Sequence, residues 1–361
     1  MSNIIELLDG VEVEWKRLWE VAEVGTGSHN TQDAVDDGIY TFYARGITPL
    51  KLNFYDFDET AIITAGDGVG VGKVFHWAVG KYALHQRAYR IVPNNSVNSR
   101  YIYHYIISKF YDYILKTSVN SSVTSMRKPM FLNFLIPIPP LHVQSEIVRI
   151  LDNFTELTAE LTAELRARKK QYTYYRDKLL TFEDGEVEFK ALGKVAKIKN
   201  GKDWKNLGEG DIPVYGSGGI MKYVDTSTYN KPSVLIPRKG SLGNLFYVDT
   251  PFWNVDTIFY TEIDDSQIVP KFFYYFLTTI GLAEMNQAGG VPSQTQAALN
   301  TIKVPIPTLE EQQKIVSTLD KFDILTNSIS EGLPKEIELR QKQYEYYRDL
   351  LLTFPKKEVE A

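Results

Sequence analysis

Residues able to do chemistry fall in a few places along the 361-residue chain, and their spacing decides what each can do. The run Gly66-Asp67-Gly68-Val69-Gly70-Val71-Gly72-Lys73-Val74 resembles a loop whose bare backbone and lysine cradle phosphates. Its spacing fails, because Asp67 stands where the first glycine of such a loop is required and Val74 replaces the Ser or Thr that would hold Mg²⁺. No dinucleotide-binding glycine spacing fits either, so the run is expected to be a tight turn between strands. Its backbone and Lys73 could still approach an anion closely. Arg238-Lys239-Gly240-Ser241-Leu242-Gly243 reads as an equivalent turn, with Gly72 matching Gly243.

Glu14-Trp15-Lys16 and Glu188-Phe189-Lys190 carry half of a metal-nuclease pattern. That chemistry needs a further upstream acid to share Mg²⁺, and Asp9 and Asp184 are the only close candidates. Solvated strand edges are the expected reading. The five histidines show no metal-ligand spacing, and the absence of cysteine excludes a thiolate nucleophile, a disulfide framework and Cys-ligated metal sites. No Asn-Pro-Pro-aromatic run supports amino-methyl transfer. These patterns point away from catalysis.

The elements that would position such residues emerge from an internal repeat, the first thing to seek in a chain of this length. QYTYYRDKLLTF at Gln171 recurs as QYEYYRDLLLTF at Gln343, with ten of twelve positions identical. PIPPLHVQSEIVRILDNF at Pro137 recurs as PIPTLEEQQKIVSTLDKF at Pro305, with ten of eighteen identical. VEWKRLWEVAEVGTG at Val13 recurs more loosely at Val187. The chain is two copies of a unit of roughly 170 residues. Their middles, about 28–125 and 202–292, match only in scattered Gly, Tyr and basic positions.

After each PIP segment, apolar residues recur at helical steps. Ile147, Leu151, Phe154, Leu157, Leu161 and Leu165 form one stripe, and Ile315, Leu319, Phe322, Leu325 and Ile329 the other. About 40 residues at 1.5 Å each make a helix near 60 Å, longer than a single core needs. The two stripes are therefore expected to pack against each other, antiparallel. Gly332-Leu333-Pro334 should break the second helix. The inserts read as mixed α/β, with strands such as AIITA and TIFYTEI and one helix each, SRYIYHYIISKFYDYI and PKFFYYFLTTIG. Leu179-Leu180-Thr181-Phe182 leads into the second copy. Leu351-Leu352-Thr353-Phe354 could abut the N-terminus in the same way, which would make the repeat pseudo-cyclic with approximate twofold symmetry. The expected fold class is thus α/β (α+β), two mixed domains joined by two long antiparallel helices.

Formal charge is −5 overall, yet residues 187–309 carry +1 while the helical stretches 143–186 and 310–361 carry −2 and −3. Lys194, Lys197, Lys199, Lys202 and Lys205 make a local basic run. This is a faint footprint for nucleic acid, as expected of a binder that works with partners. The acidic N-terminal segment resembles neither a signal peptide nor a membrane anchor, so a cytoplasmic protein is expected.

The duplicated PIPxLxxQxxIVxxLDxF and QYxYYRDxLLTF segments, the tandem TAEL at Thr158–Leu161 and Thr162–Leu165, and two unlike inserts resemble the DNA specificity subunit of type I restriction-modification systems. The resemblance implies a non-enzymatic recognition subunit that binds double-stranded DNA. Residues 1–140 and 183–308 would be target recognition domains, each reading half of a bipartite site. Residues 141–182 and 309–354 would be conserved helices that set the gap and dock two modification subunits, with a tail at 355–361. Restriction subunits would join that core. S-adenosylmethionine, ATP and Mg²⁺ would belong to the partners, and this chain would hold no cofactor. A duplicated protein-assembly scaffold that never touches DNA is the alternative, but it would predict similar inserts.

Base contacts need Arg, Lys, Asn or Gln on loops that can enter a groove. On that ground Arg45, Lys73, Gln86, Arg87, Arg127 and Lys128 are the DNA-binding candidates of the first insert. Lys202, Lys205, Ser217, Arg238, Lys239, Asn244, Gln294 and Gln296 are those of the second.

Overall fold

The structure, a computed structural model, describes residues 7–117, 125–183, 185–285, 292–328 and 330–355. Asp184, one of the two acids considered beside the Glu-x-Lys patterns, lies outside the described residues. The chain forms two compact units, residues 1–160 with 337–361, and residues 161–336.

In the first unit β1 (Glu14–Arg17) leads through a helical turn, Leu18–Val21, into β2 (Ala22–Thr26). The strands β3 (Tyr40–Tyr43), β4 (Leu50–Leu52), β5 (Phe57–Ala65), β6 (Phe75–Leu84) and β7 (Ala88–Pro93) complete a six-stranded sheet of order β2-β7-β5-β6-β3-β4. Neighbours are antiparallel except β3, which runs parallel to β6. A helix, Ser99–Thr117, comes next, and its Tyr101, Ile102, Tyr105, Ile106, Phe110 and Ile114 recur at helical spacing and are buried against Ile62 and Ile91 of the sheet. A short helix, Lys128–Leu132, precedes β8 (Leu135–Ile138), which pairs antiparallel with β1 so that Trp15 faces Pro137. The first Glu-x-Lys pattern is thus one side of a two-stranded ribbon, where a proline is tolerated because both strands are edges. Lys16 pairs with Glu14 at 2.9 Å, as a solvated edge allows.

The second unit repeats the plan. β9 (Glu188–Ala191) is followed by β10 (Ala196–Lys199), β11 (Ile212–Gly216), β12 (Gly219–Val224), β13 (Ser233–Pro237), β14 (Phe246–Val248), β15 (Trp253–Asn254) and β16 (Ile258–Ile263), and β17 (Lys303–Ile306) returns to pair with β9. Two sheets form, of order β10-β16-β13-β14 and β12-β11-β15. Joined end to end these give the order of the first insert, with β14 and β15 together occupying the place of β6. The parallel pairing of β15 with β11 matches that of β6 with β3. Asp249-Thr250-Pro251 interrupts the strand, since proline cannot donate to a ladder. Inserts that match only in scattered positions of sequence therefore share one topology.

The frame helices run as expected. The first, Leu141–Leu180, is a single helix of 40 residues, and the second is split into Leu309–Asn327 and Gly332–Leu351. Gly332 has φ +77°, and a Cβ there would lie 2.3 Å from the Ile324 carbonyl oxygen, so only glycine turns the chain at this break. Pro334 then sits in the first helical turn, where its missing N–H is harmless. Phe154 stacks on Tyr347 at 5.3 Å in the first unit, and Tyr175 on Phe322 at 5.7 Å in the second. In each unit, therefore, an aromatic ring of the first frame helix packs on one of the second.

The cyclic closure is present too. Leu351, Leu352 and Phe354 are buried in the core of the first unit with Val143, Ile147 and Leu151, and Trp15 Nε1 donates to Pro355 O at 3.3 Å. Leu180, with Leu179 and Phe182 packed around it, does the same for the second unit beside Val316 and Leu319. Each fully buried aliphatic side chain contributes about 1.5–3 kcal/mol.

Candidate nucleic-acid interface

The frame fixes each insert through two repeated side chains. Gln144 donates from Nε2 to Pro139 O at 2.7 Å and accepts the backbone N–H of Asn98 at 2.8 Å. Gln312 donates to Pro307 O at 2.9 Å and accepts the N–H of Val269 at 2.7 Å. Both glutamines are buried, and both secure the N-terminus of an insert helix. Further along the same helix, Asp152 accepts from Arg100 Nε at 3.0 Å and from His104 Nε2 at 2.8 Å. Asp320 accepts from Tyr275 at 2.5 Å and pairs with Lys271 at 2.8 Å. The identical positions of the repeat are thus the ones that grip the inserts.

With the helix held, one rim of each sheet repeats the same main-chain framework. In the first insert the turn between β5 and β6 begins at Gly66, whose N–H donates to Arg87 O at 2.8 Å and whose carbonyl accepts the N–H of Met126 at 2.7 Å. In the second, Arg238 N–H donates to Thr257 O at 2.8 Å and Arg238 O accepts from Gln294 N–H at 3.0 Å. His85 N–H to Tyr43 O and Val255 N–H to Tyr215 O, both at 3.0 Å, complete the correspondence. Position for position, Arg45, Asp67 and Arg87 correspond to Ser217, Lys239 and Thr257.

The structure gathers most of the candidates of the first insert on this rim. Asp67 bridges Arg45 and Arg87, and Gln86 beside them hydrogen-bonds Asn30 through its side-chain amide. Burial pulls the Asp67 carboxyl up, but the hydrogen bonds from Arg45 and Arg87 outweigh it and hold the group below the usual carboxylate range. Beneath them His85 is pushed down by burial and by Arg45, and its Nδ1 accepts the backbone N–H of Arg87 at 2.9 Å. Arg127 and Lys128, both exposed, come directly after Met126 at the foot of the turn. Lys73 lies at the far end, with its ammonium 5.2 Å from the Tyr111 ring.

In the second insert Ser217 and Asn244 lie beside the turn that Arg238 and Lys239 open. Ser217 N–H donates to Thr257 Oγ1 at 3.3 Å, and its carbonyl accepts from Asn244 Nδ2 at 3.2 Å. Arg238 lies over the Phe259 ring at 5.9 Å, and Lys239 is exposed. Lys202 and Lys205 are exposed on the segment after β10, Lys205 beside Asp203 at 3.9 Å. Gln296 donates to Asn200 Oδ1 at 3.1 Å near the same segment. Gln294 is different: it is 3% exposed and its Nε2 donates to Pro237 O, so its side chain braces the turn from below.

Asp67, Asn30 and Thr257 belong to these clusters and were missing from the sequence candidates. Only an acid inside a glycine-rich turn hinted at Asp67, and nothing local shows which arginines it meets. Among the described residues no group of three or more His, Cys, Asp or Glu could hold a metal ion, and no helix is long and apolar enough to cross a membrane.

Comparison with known proteins gives a consistent answer. A family model described as type I restriction modification DNA specificity domain matches residues 10–168 and again 184–339. Two Escherichia coli type I restriction enzyme specificity subunits are similar to the chain. One is 35% identical over 99% of this chain and 98% of its own length. The other, the EcoprrI specificity subunit, is 32% identical over 92% of both. Among solved structures, the S subunit of a type I restriction-modification system from M. genitalium has a TM-score of 0.69 at 19% identity, covering 96% of this chain and 98% of that one. A chain from a structure describing complex assembly and conformational transition of a type I restriction-modification system has a TM-score of 0.56 at 15% identity, covering 96% and 98%.

Proposed function

The chain belongs to the type I restriction-modification DNA specificity family, and from that premise we propose that its two inserts read the two halves of a bipartite double-stranded DNA site. The observation that carries this reading is one platform bearing two side-chain sets. The sheet order and turn hydrogen bonds repeat, while Arg45, Asp67 and Arg87 in one insert are Ser217, Lys239 and Thr257 in the other. A scaffold for two identical partners would repeat its surface chemistry along with its backbone, and this chain does not.

In this reading residues 1–140 and 183–308 are the recognition domains. The helices at 141–182 and 309–354 set the gap and carry two modification subunits at equivalent places, and restriction subunits complete the complex. S-adenosylmethionine, ATP and Mg²⁺ act in those partners, and the specificity subunit itself performs no catalytic step. Arg45, Gln86, Arg87, Ser217, Arg238, Lys239 and Asn244 meet the DNA from the two rims. Lys73, Arg127, Lys128, Lys202, Lys205 and Gln296 supply flanking contacts, with lysines holding phosphates. Gln294 supports its turn and is withdrawn from the contact set.

The test is to map methylated motifs in cells that express the chain with its modification subunits, before and after replacing residues 202–292 by the insert of a relative. A bipartite motif in which one half changes and the other stays is expected. A motif altered in both halves, or no motif with the native chain, would refute the reading.

A further inference from the structure

Arg45 lies just beyond β3, Asp67 just beyond β5 and Arg87 just beyond β6, so three strand ends meet at one point of the rim. Asp67 Oδ1 accepts from Nη1 of Arg45 at 3.0 Å, and Oδ2 accepts from Nη1 of Arg87 at 2.9 Å. The acid lies low, with its side chain 19% exposed, while the two arginine side chains are 43% and 62% exposed. Each guanidinium uses one Nη1–H on the carboxylate. Among the described residues no acceptor engages the Nε–Nη2 edge of either arginine.

Two part-exposed forks on one anion are poorly suited to phosphate and well suited to bases. A carboxylate beside the arginines repels a phosphate and weakens the grip, whereas base edges are neutral acceptors. A fixed planar fork matches the O6 and N7 of guanine, the commonest specific contact in the major groove. The second insert, built on the same backbone, has neither the acid nor the pair.

The geometry points to Asp67 as a positioning residue for sequence readout: it holds Arg45 and Arg87 as paired forks for guanine O6/N7 edges, so the half-site read by the first insert contains at least one G·C pair whose recognition depends on Asp67. This rests on the bipartite reading above and deepens it. The carboxylate stays ionised because the two arginines hold its pKa down. In Asp67→Asn the side-chain oxygen can accept from only one arginine and the amide turns a donor towards the other, so one fork is released.

The experiment maps methylated motifs in cells carrying the full chain with its modification subunits, as wild type, Asp67→Asn and Asp67→Glu. A wild-type bipartite motif is the control, and its absence would refute the bipartite reading rather than this inference. In Asp67→Asn, preference for a G·C pair in one half-site should fall about tenfold or more, with the other half-site unchanged. An unaltered motif, whether methylated fully or uniformly less, would overturn the proposal and leave the arginines as phosphate contacts. If Asp67→Asn abolishes methylation, Asp67→Glu decides. Recovery of the wild-type motif by Glu supports a charge clamp, and failure of both variants assigns Asp67 to folding and overturns it.

Discussion

Asp152 on the long helix and His104 on the first insert helix are joined by a bond of 2.8 Å, and the His104 side chain is 2% exposed. Burial lowers the pKa of His104, against the pull of Asp152, and Nδ1 has no hydrogen-bond partner among the described residues. The folded state therefore favours neutral imidazole, while the unfolded chain takes up a proton near the ordinary value of 6.5. Stability of the first unit should be indifferent to this group above that pH. It should decline as pH falls below it, until the folded histidine also titrates. Thermal unfolding followed from pH 8 to about 5 would show the decline, and His104→Tyr, which copies Tyr275, should flatten it. An equal slope in the variant would exclude His104 as the source.

Removing a glutamine latch should be costly. In Gln144→Ala the part-buried N–H of Asn98 and the buried carbonyl of Pro139 both lose their partner. The expected loss is roughly 2–4 kcal/mol, since each unsatisfied buried group costs about 1–3 kcal/mol. Denaturant unfolding of the full chain would measure it. Gln312→Ala should give a similar figure for the second unit, and a negligible change in both would mean that water replaces the side chain.

The turn of the second insert can be tested at Lys239 and Arg238. Lys239→Ala should weaken binding of the assembled complex to all sequences and reduce the salt slope of log affinity by about 1. Arg238→Ala should weaken binding to the target more than to unrelated DNA. Titrations at two salt concentrations separate these effects, and unaltered binding in both variants would remove this turn from the interface.

A third TAEL after Leu165 should lengthen the long helix by four residues, about 6 Å, and rotate the downstream part of the helix by about 40° beyond a full turn. A base-pair step rises about 3.4 Å and turns by roughly 34°. Leu161 and Leu165 are half-buried, so a further leucine at the same spacing keeps the stripe. The unread gap of the methylated motif should grow by one base pair, or two, with both half-sites unchanged. Normal activity with an unchanged gap would show that the helix does not set it.

The sequence made the frame legible because helices report themselves through near neighbours. Ile147 and Leu151 mark the stripe locally, and Gly332 with Pro334 marks the break. The repeat even singled out Gln144 and Asp152, identical in both copies, although their partners at Asn98 and His104 lie some 46–48 positions away. Sheet order was illegible for the same reason. The pairing of β3 with β6 joins Thr41 to Tyr82, and nothing in either strand announces the other. The rim shows the limit most clearly. Arg45 and Arg87 stand out by their chemistry and their turns, but the acid that couples them becomes visible only when three strand ends converge.

The latch from Gln144 to Asn98 reaches a main-chain N–H, and so does that from Gln312 to Val269. A main-chain N–H is common to every residue but proline, and in the second insert proline stands one place later, at Pro270. The frame thus addresses its insert in terms that genetic drift cannot rewrite. An insert carried between the two repeated segments needs a helix start without proline, a donor or cation facing the aspartate, and an apolar helix face to share the core of the frame. Side chains of the rim, which take no part in these latches, can therefore change without loosening the joint between frame and insert.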